Sequence, residues 1–205
     1  LLFLLCRTYI RIWKIKINFE KLNLPNYDIK SILDNMLEDK VVHWTDLNQI
    51  CINTVKGEED NFLYGAGSLF YDWSNGEEVY DEKGHMRHIP AKRETPLKEA
   101  DFTNLCNVFK NTVFEDLYNV LKENYNVGRV RLMKSPPKTC LSWHVDDTKR
   151  IHYPIVTQEG CFMLIEDEVK HLPQHTWWIT NTLVKHTALN ASLEDRVHLV
   201  ATLIE

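Results

Sequence analysis

The sequence predicts a mainly β fold with flanking helices, built on a double-stranded β-helix core of jelly-roll kind. Two observations carry this. After Gly128 the chain breaks into short β-rich runs separated by turns, the pattern of a sandwich or barrel. The helical periodicities are gathered before residue 125, where they can buttress a sheet but cannot alternate with its strands. A chain of 205 residues with no internal repeat and no low-complexity segment reads as one domain. Within it, residues 1–125 form mixed helical and loop support and 126–205 form the barrel strands.

The elements follow in order. Trp13, Ile15, Ile17 and Phe19 alternate with Lys14, Lys16 and Asn18, as in a half-buried strand. Over 27–40, Ile29, Ile32, Leu33, Met36 and Leu37 share one helical face, with Asp28 or Asn26 as the cap. A short second helix over Asp46–Val55 would turn Leu47, Ile50 and Cys51 inward. Residues 56–96 contain Gly57, Gly65 and Gly67, an aromatic patch at Leu69–Trp73 that reads as core, and a polar run to Pro96. They are expected to form a long loop with short strands, exposed and close to substrate. Pro96 suits a first helical turn, after which Phe102, Leu105, Phe109, Val113, Leu117 and Leu121 keep helical spacing towards Tyr125. The strands are then Val130–Met133, Arg150–Thr157, Cys161–Ile165, Glu168–Leu172, Trp177–Thr182, His186–Asn190 and Arg196–Ile204. Trp143, Trp177 and Trp178 are expected in the barrel core, with Trp143 also placed to line a cavity.

Bulk properties narrow the function classes. Hydrophobic content of 44% and charged content of 26% are ordinary for a globular chain. A formal charge of −5 argues against a protein that grips nucleic-acid phosphates. Cys6, Cys51, Cys106, Cys140 and Cys161 are scattered and odd in number, without Cys-x-x-Cys, so reduced thiols and a reducing, cytoplasmic compartment are expected. Leu1–Leu5 is too short to span a bilayer and lacks the basic lead of a signal peptide, so residues 1–8 carry no functional expectation.

Chemistry concentrates near the end of the chain. Six of the nine histidines follow residue 140, and His144-Val145-Asp146 is the one His-x-Asp or His-x-Glu in the sequence. Side chains two apart project to the same side of a strand, so His144 and Asp146 can bind one metal, with His186 arriving from a distant strand. Two histidines and one carboxylate on one face leave the other face open. Arg196, ten residues beyond His186, is the kind of group that grips a carboxylate by a bidentate fork. The blander readings are structural histidines, an Asp146-Asp147 turn, and a surface salt bridge for Arg196 beside Glu194 and Asp195. His198 reads as packing or support. His85-x-x-His88 and His171-x-x-x-His175 are rival metal pairs; the first lies in a polar loop and the second is broken by Pro173.

Four blocks in order sharpen this: GRVRLMKSPPKTCLSWHVDD, RIHYPIVT, WWITNTLVKHTALN and RVHLVATLI. Over residues 128–204 the chain resembles the aspartyl/asparaginyl β-hydroxylase-like family of Fe(II)/2-oxoglutarate oxygenases. The resemblance implies a cupin-like barrel and makes His144, Asp146 and His186 the iron ligands. It makes Arg196 the clamp on the distal carboxylate of 2-oxoglutarate, with Arg150 and His152 near its other end, close to the metal. It further implies O₂-dependent hydroxylation of an unactivated C–H, releasing succinate and CO₂. The substrate would be an Asp, Asn or Pro residue in a peptide, a free amino acid or a similar small molecule, with no nucleic-acid or membrane partner. The chain departs from the family at Pro173-Gln174-His175, where a glycine turn is usual, which puts a positive φ at Gln174 in doubt. The rival readings are a non-catalytic jelly-roll binding module and a cupin-like metalloenzyme that does not use 2-oxoglutarate.

Overall fold

The computed structural model describes residues 17–205. It opens with β1 (Phe19–Leu22), α1 (Lys30–Glu38), β2 (Gln49–Cys51) and β3 (Asn53–Thr54). A two-stranded hairpin, β4 (Tyr71–Tyr80) with β5 (Met86–Lys92), stands apart from the other sheets. β6 (Asn104–Leu105) and α2 (Val113–Asn124) complete the first part. The last eight strands are β7 (Val127–Ser135), β8 (Thr139–Cys140), β9 (Arg150–Val156), β10 (Cys161–Ile165), β11 (Glu168–Lys170), β12 (Trp177–Thr180), β13 (His186–Asn190) and β14 (Arg196–Leu203).

These eight strands are shared between two antiparallel sheets, alternating except for β10 and β11, which form a hairpin within one of them. One has the order β12-β9-β14-β7 and the other β11-β10-β13-β8, which is the strand order of a double-stranded β-helix. The first part adds β1 beside β12 and β2 beside β7, so both edges of the larger sheet are paired rather than open.

The larger sheet is two-faced, and this places the site. Val130 and Leu132 of β7, Ile151, Tyr153 and Ile155 of β9, and Val197, Leu199 and Ala201 of β14 join the main apolar core. That core is shared with Ile29, Leu33 and Met36 from the α1 region and with Phe114, Leu117 and Leu121 of α2. By the period-two rule the intervening residues point the other way, between the sheets. They are Arg129, Arg131, Arg150, His152, Arg196 and His198, all buried. The main apolar core therefore lies outside the barrel, between sheet and helices, and the barrel interior is cationic.

Several expectations are corrected. The second helix over Asp46–Val55 is β2 and β3 instead: Ile50 pairs opposite Leu132, and a sheet edge in need of a partner outweighs weak helical periodicity. The helix expected from Pro96 begins only at Val113. Asn104–Leu105 is tied to β3, Phe102 is buried from irregular backbone and Phe109 from a single 3-10 turn over Asn107–Phe109, a succession that happens to match helical spacing. Thr112 supplies the start signal, accepting from the Phe114 N–H at 3.2 Å. Thr112→Ala is expected to cost about 1 kcal/mol, read as a lower urea midpoint. α1 begins without a side-chain cap: Ile29, fully buried, occupies the cap position in place of Asp28 or Asn26. The first strand starts at Phe19, with Ile17 exposed; Trp13 and Ile15 lie outside the described residues.

Residues 56–96 are not a loop with short strands, since the β4–β5 hairpin fills much of the segment. The Leu69–Trp73 patch is not core, with Phe70 57% exposed. Trp143 is likewise exposed, and Trp177 packs on Tyr153 in the outer core, ring centroids 4.4 Å apart. The glycine-free turn is made by His175, at φ 57°, rather than by Gln174. Histidine tolerates left-handed backbone better than most residues. Its N–H bonds to the Pro154 carbonyl at 3.0 Å, which holds the turn. No helix among the described residues is long and apolar enough to cross a membrane.

Candidate metal centre

His144 and Asp146 lie beyond the short β8, outside any regular strand, yet the backbone supplies the alternation the motif needs. The His144 N–H donates to the His186 carbonyl at 3.1 Å and the His186 N–H donates back to His144 at 3.0 Å. The Asp146 N–H donates to the Thr182 carbonyl at 2.9 Å. The bridge sets the two histidines opposite each other, ring centroids 4.2 Å apart, and brings Asp146 to the same side. One ligand atom from each of the three residues falls within 4.8 Å of the others. Among the described residues no other group of three or more such side chains gathers in this way. The rival pairs are used otherwise. His85 faces Asp81 and His88 packs against Trp73, while His171 and His175 contact the carbonyls of Cys161 and Tyr27.

Both imidazoles are aimed by their Nδ1 atoms, which lie 2.7 Å from the Ser142 carbonyl for His144 and 2.9 Å from the Val184 carbonyl for His186. A carbonyl can only accept, so Nδ1 carries the proton and the Nε2 lone pair is free for a metal. Burial, and then the neighbouring His144, hold the His186 pKa below the usual imidazole range against the pull of Asp146, which keeps the ring neutral and fit to ligate.

The neighbouring cations divide into paired and unpaired. Arg150 donates from Nε to Asp146 Oδ2 at 3.0 Å, from Nη1 to Thr202 Oγ1 at 2.9 Å and also to Thr148, and its Nη2 lies 3.6 Å from Glu99. It therefore sits at the metal end of the cavity, as expected, but braces the Asp146 carboxylate. Arg196 has no carboxylate partner among the described residues. Its Nη2 donates to His198 Nδ1 at 3.0 Å, and burial brings its pKa down to about 10. A cavity of about 480 Å³ is lined by His144, Asp146, His186, Arg150, His152 and Arg196 together. Trp143 is not in its wall; Leu69 and Phe70, from the segment expected near substrate, are.

Sequence reasoning missed Glu99, Arg129 and Arg131, which also line the cavity. Glu99 takes both Nε and Nη2 of Arg129, at 2.9 and 2.8 Å. The signal for the arginines was present: Arg129 and Arg131 alternate with apolar Val130 and Leu132 in a strand whose two faces are both covered. Glu99 opens a three-residue 3-10 turn, Glu99–Asp101, and had no such signal.

Three comparisons with known proteins bear on this geometry. The family model for aspartyl/asparaginyl β-hydroxylase matches residues 71–205. The chain belongs to this family. The match reaches back beyond the four blocks to take in the β4–β5 hairpin and α2. No curated protein matches the chain. Among solved structures, a 2OG-Fe(II) oxygenase-family oxidoreductase from Burkholderia pseudomallei is similar over 62% of this chain and 71% of its own, at 14% identity and a TM-score of 0.41. A cupin domain from Bordetella pertussis is similar over 38% of this chain and 81% of its own, at 18% identity and a TM-score of 0.33. A predicted oxalate decarboxylase from Thermotoga maritima is similar over 63% of this chain and 91% of its own, at 13% identity and a TM-score of 0.34.

In this family member two further histidines stay neutral. Burial and then Arg196 hold His152 and His198 well below the usual imidazole range. In the unfolded chain they titrate near 6.5, so below that pH the unfolded state takes up protons that the folded state refuses. Stability present above about pH 6.5 is then lost as the pH falls, by about 1.4 kcal/mol per pH unit for each ring. Urea midpoints of metal-free protein should fall from about pH 7.5 to 5.5, and His198→Asn should flatten that slope.

Proposed function

We propose that the protein is an Fe(II)/2-oxoglutarate-dependent dioxygenase that hydroxylates an unactivated C–H. The substrate is an Asp-, Asn- or Pro-type residue in a peptide, or a free amino acid or small molecule, and succinate and CO₂ are released. The observation that carries this reading is the sharing of one cavity by the His144–Asp146–His186 cluster and a buried arginine that lacks a carboxylate.

The donor set fits the group. Two neutral imidazoles and a carboxylate on one side suit Fe(II) and leave room for a bidentate oxo-acid and O₂. When bound, the iron would supply activation of O₂ at the expense of the oxo-acid. The residues of this chain do the positioning. His144 and His186 present Nε2, with tautomers fixed by the Ser142 and Val184 carbonyls. Arg150 holds Asp146 to one orientation. Arg196 would take the distal carboxylate of 2-oxoglutarate, regaining the charge partner it lacks. His152, neutral and buried, can accept or donate one hydrogen bond without adding charge near the metal. Cys51, Cys106, Cys140 and Cys161 are free thiols, which fits a reducing, cytoplasmic setting, and the net charge of −5 fits the absence of a nucleic-acid partner.

Anaerobic titration with Fe(II) and then 2-oxoglutarate tests the reading. A weak visible metal-to-ligand charge-transfer band is expected on adding the oxo-acid. Folded, iron-loaded protein that gives no band would move the assignment to a metalloenzyme that does not use 2-oxoglutarate.

A further inference from the structure

Arg131 is a second unpartnered cation in the same cavity. It is 7% exposed, and its one hydrogen bond runs from Nη1 to Gln49 Oε1 at 2.8 Å. Its Nε is buried without any partner, and no carboxylate lies within ion-pair distance among the described residues. The residue is held in place deliberately. The Gln49 oxygen that fixes it also accepts from the Gly67 N–H at 2.9 Å, tying β2, β7 and the glycine loop together at this point. Gly67 has φ +68°, and a Cβ there would lie 2.3 Å from Leu47, so the loop approaches this closely only with glycine. Burial, and then Arg129, press the Arg131 pKa down to about 9, against a smaller opposing pull from the Glu99 carboxylate.

The charge balance points the same way. Four buried guanidiniums line the cavity, from Arg129, Arg131, Arg150 and Arg196, together with Lys134, against three carboxylates, Glu99, Asp146 and the exposed Asp147. Arg129 and Arg150 are paired with Glu99 and Asp146, and Lys134 lies 3.7 Å from Asp195, which leaves Arg131 and Arg196 as the buried cations without an ion pair among the described residues. Iron(II) and doubly charged 2-oxoglutarate cancel each other, so loading the site as proposed above does not remove the excess. An uncompensated buried cation is costly, and a substrate that brings negative charge removes the cost.

We propose that Arg131 is a substrate-recognition residue and that the substrate carries a carboxylate, bound in a subsite separate from the one Arg196 gives the oxo-acid. The Arg131 guanidinium lines the cavity, and a planar carboxylate matches its fork of donors. Neutral Asn-type and internal Pro-type substrates are thereby disfavoured unless a carboxylate stands nearby in the same molecule. This inference rests on the oxygenase reading for the role of Arg196, but the subsite itself does not require iron.

The test is calorimetric titration of anaerobic, Fe(II)-loaded protein with the acids from propionic to hexanoic and with their carboxamides, with and without saturating 2-oxoglutarate. In wild type with 2-oxoglutarate present, the acids bind and the carboxamides do not. Arg131→Met weakens the acids at least about tenfold, the loss expected for a charge-assisted hydrogen bond, while leaving 2-oxoglutarate binding within about twofold. Arg131→Lys, which keeps the charge but loses the fork, falls between the two. Arg131→Met removes an unpaired buried charge, so its Tm should not fall below that of wild type. Acids that fail to bind, bind no better than carboxamides, or bind Arg131→Met as well as wild type would overturn the proposal. If wild type does not bind 2-oxoglutarate, the oxygenase reading fails alone; the acid series run without it on Arg131→Met and Arg196→Met still decides which arginine forms the subsite.

Discussion

Replacing His186 with alanine is expected to abolish iron binding and, with it, any oxygenase turnover. In the proposed site three side chains would hold the metal, and removing one leaves His144 and Asp146, a pair too sparse to retain a divalent ion. Loss of a supporting residue around a metal costs about 10- to 100-fold in affinity, so loss of a ligand should exceed a hundredfold. The fold should survive the change. The bridge between His144 and His186 is made by backbone groups, which alanine keeps, and the hydrogen bond lost is the one from the ring to the Val184 carbonyl, about 1 kcal/mol. The measurement is iron content after anaerobic desalting, alongside far-ultraviolet circular dichroism. Folded His186→Ala that retains stoichiometric iron would show that the metal sits elsewhere.

Replacing Arg196 with methionine should separate the metal from the co-substrate. Arg196 touches no member of the His144–Asp146–His186 cluster; its contact is with His198. Iron binding is therefore expected to be unchanged within about twofold. Removing one partner of a buried charge pair costs about 2–5 kcal/mol, which for 2-oxoglutarate means at least about a thirtyfold weaker Kd. The charge-transfer band should then return only at raised 2-oxoglutarate. An unchanged 2-oxoglutarate requirement in Arg196→Met would fit an enzyme or binding module that has no oxo-acid to clamp. A simultaneous loss of iron would mean that Arg196 supports the metal, against the geometry.

The two variants read different parts of the sequence record. The gathering of His144 and Asp146 near His186 was legible because residues two apart on extended backbone share a side. They keep that relation through their bridges to His186 and Thr182, although neither lies in a regular strand. The strands Cys161–Ile165 and His186–Asn190 fall where the pattern places them. The barrel was legible for the same reason, since a strand buried on both faces must still alternate between two surroundings. The first part of the chain was less so. Phe102, Leu105 and Phe109 keep helical spacing, yet the first anchors irregular backbone, the second lies in a two-residue strand and the third in a single 3-10 turn. Helical periodicity records which residues are buried, and a loop pinned to a core by aromatic side chains can write the same record. Asp46–Val55 failed because pairing with a distant strand is not written locally. The Leu69–Trp73 patch failed because aromatic residues lining an open cavity are as apolar in sequence as those of a core.

What the sequence determined by itself was the jelly-roll strand pattern, and it singled out His144, Asp146, His186 and Arg196, which the fold brings to one cavity, because period-two geometry and side-chain chemistry are local properties. Only the tertiary structure decided that the main apolar core lies outside the barrel and that Glu99 reaches across to neutralise Arg129. The same holds for Arg131, which is left inside without a carboxylate. Arg150 finds Asp146 only four positions away, but Arg129 is paired by Glu99 from 30 positions away, and no local pattern carries that information.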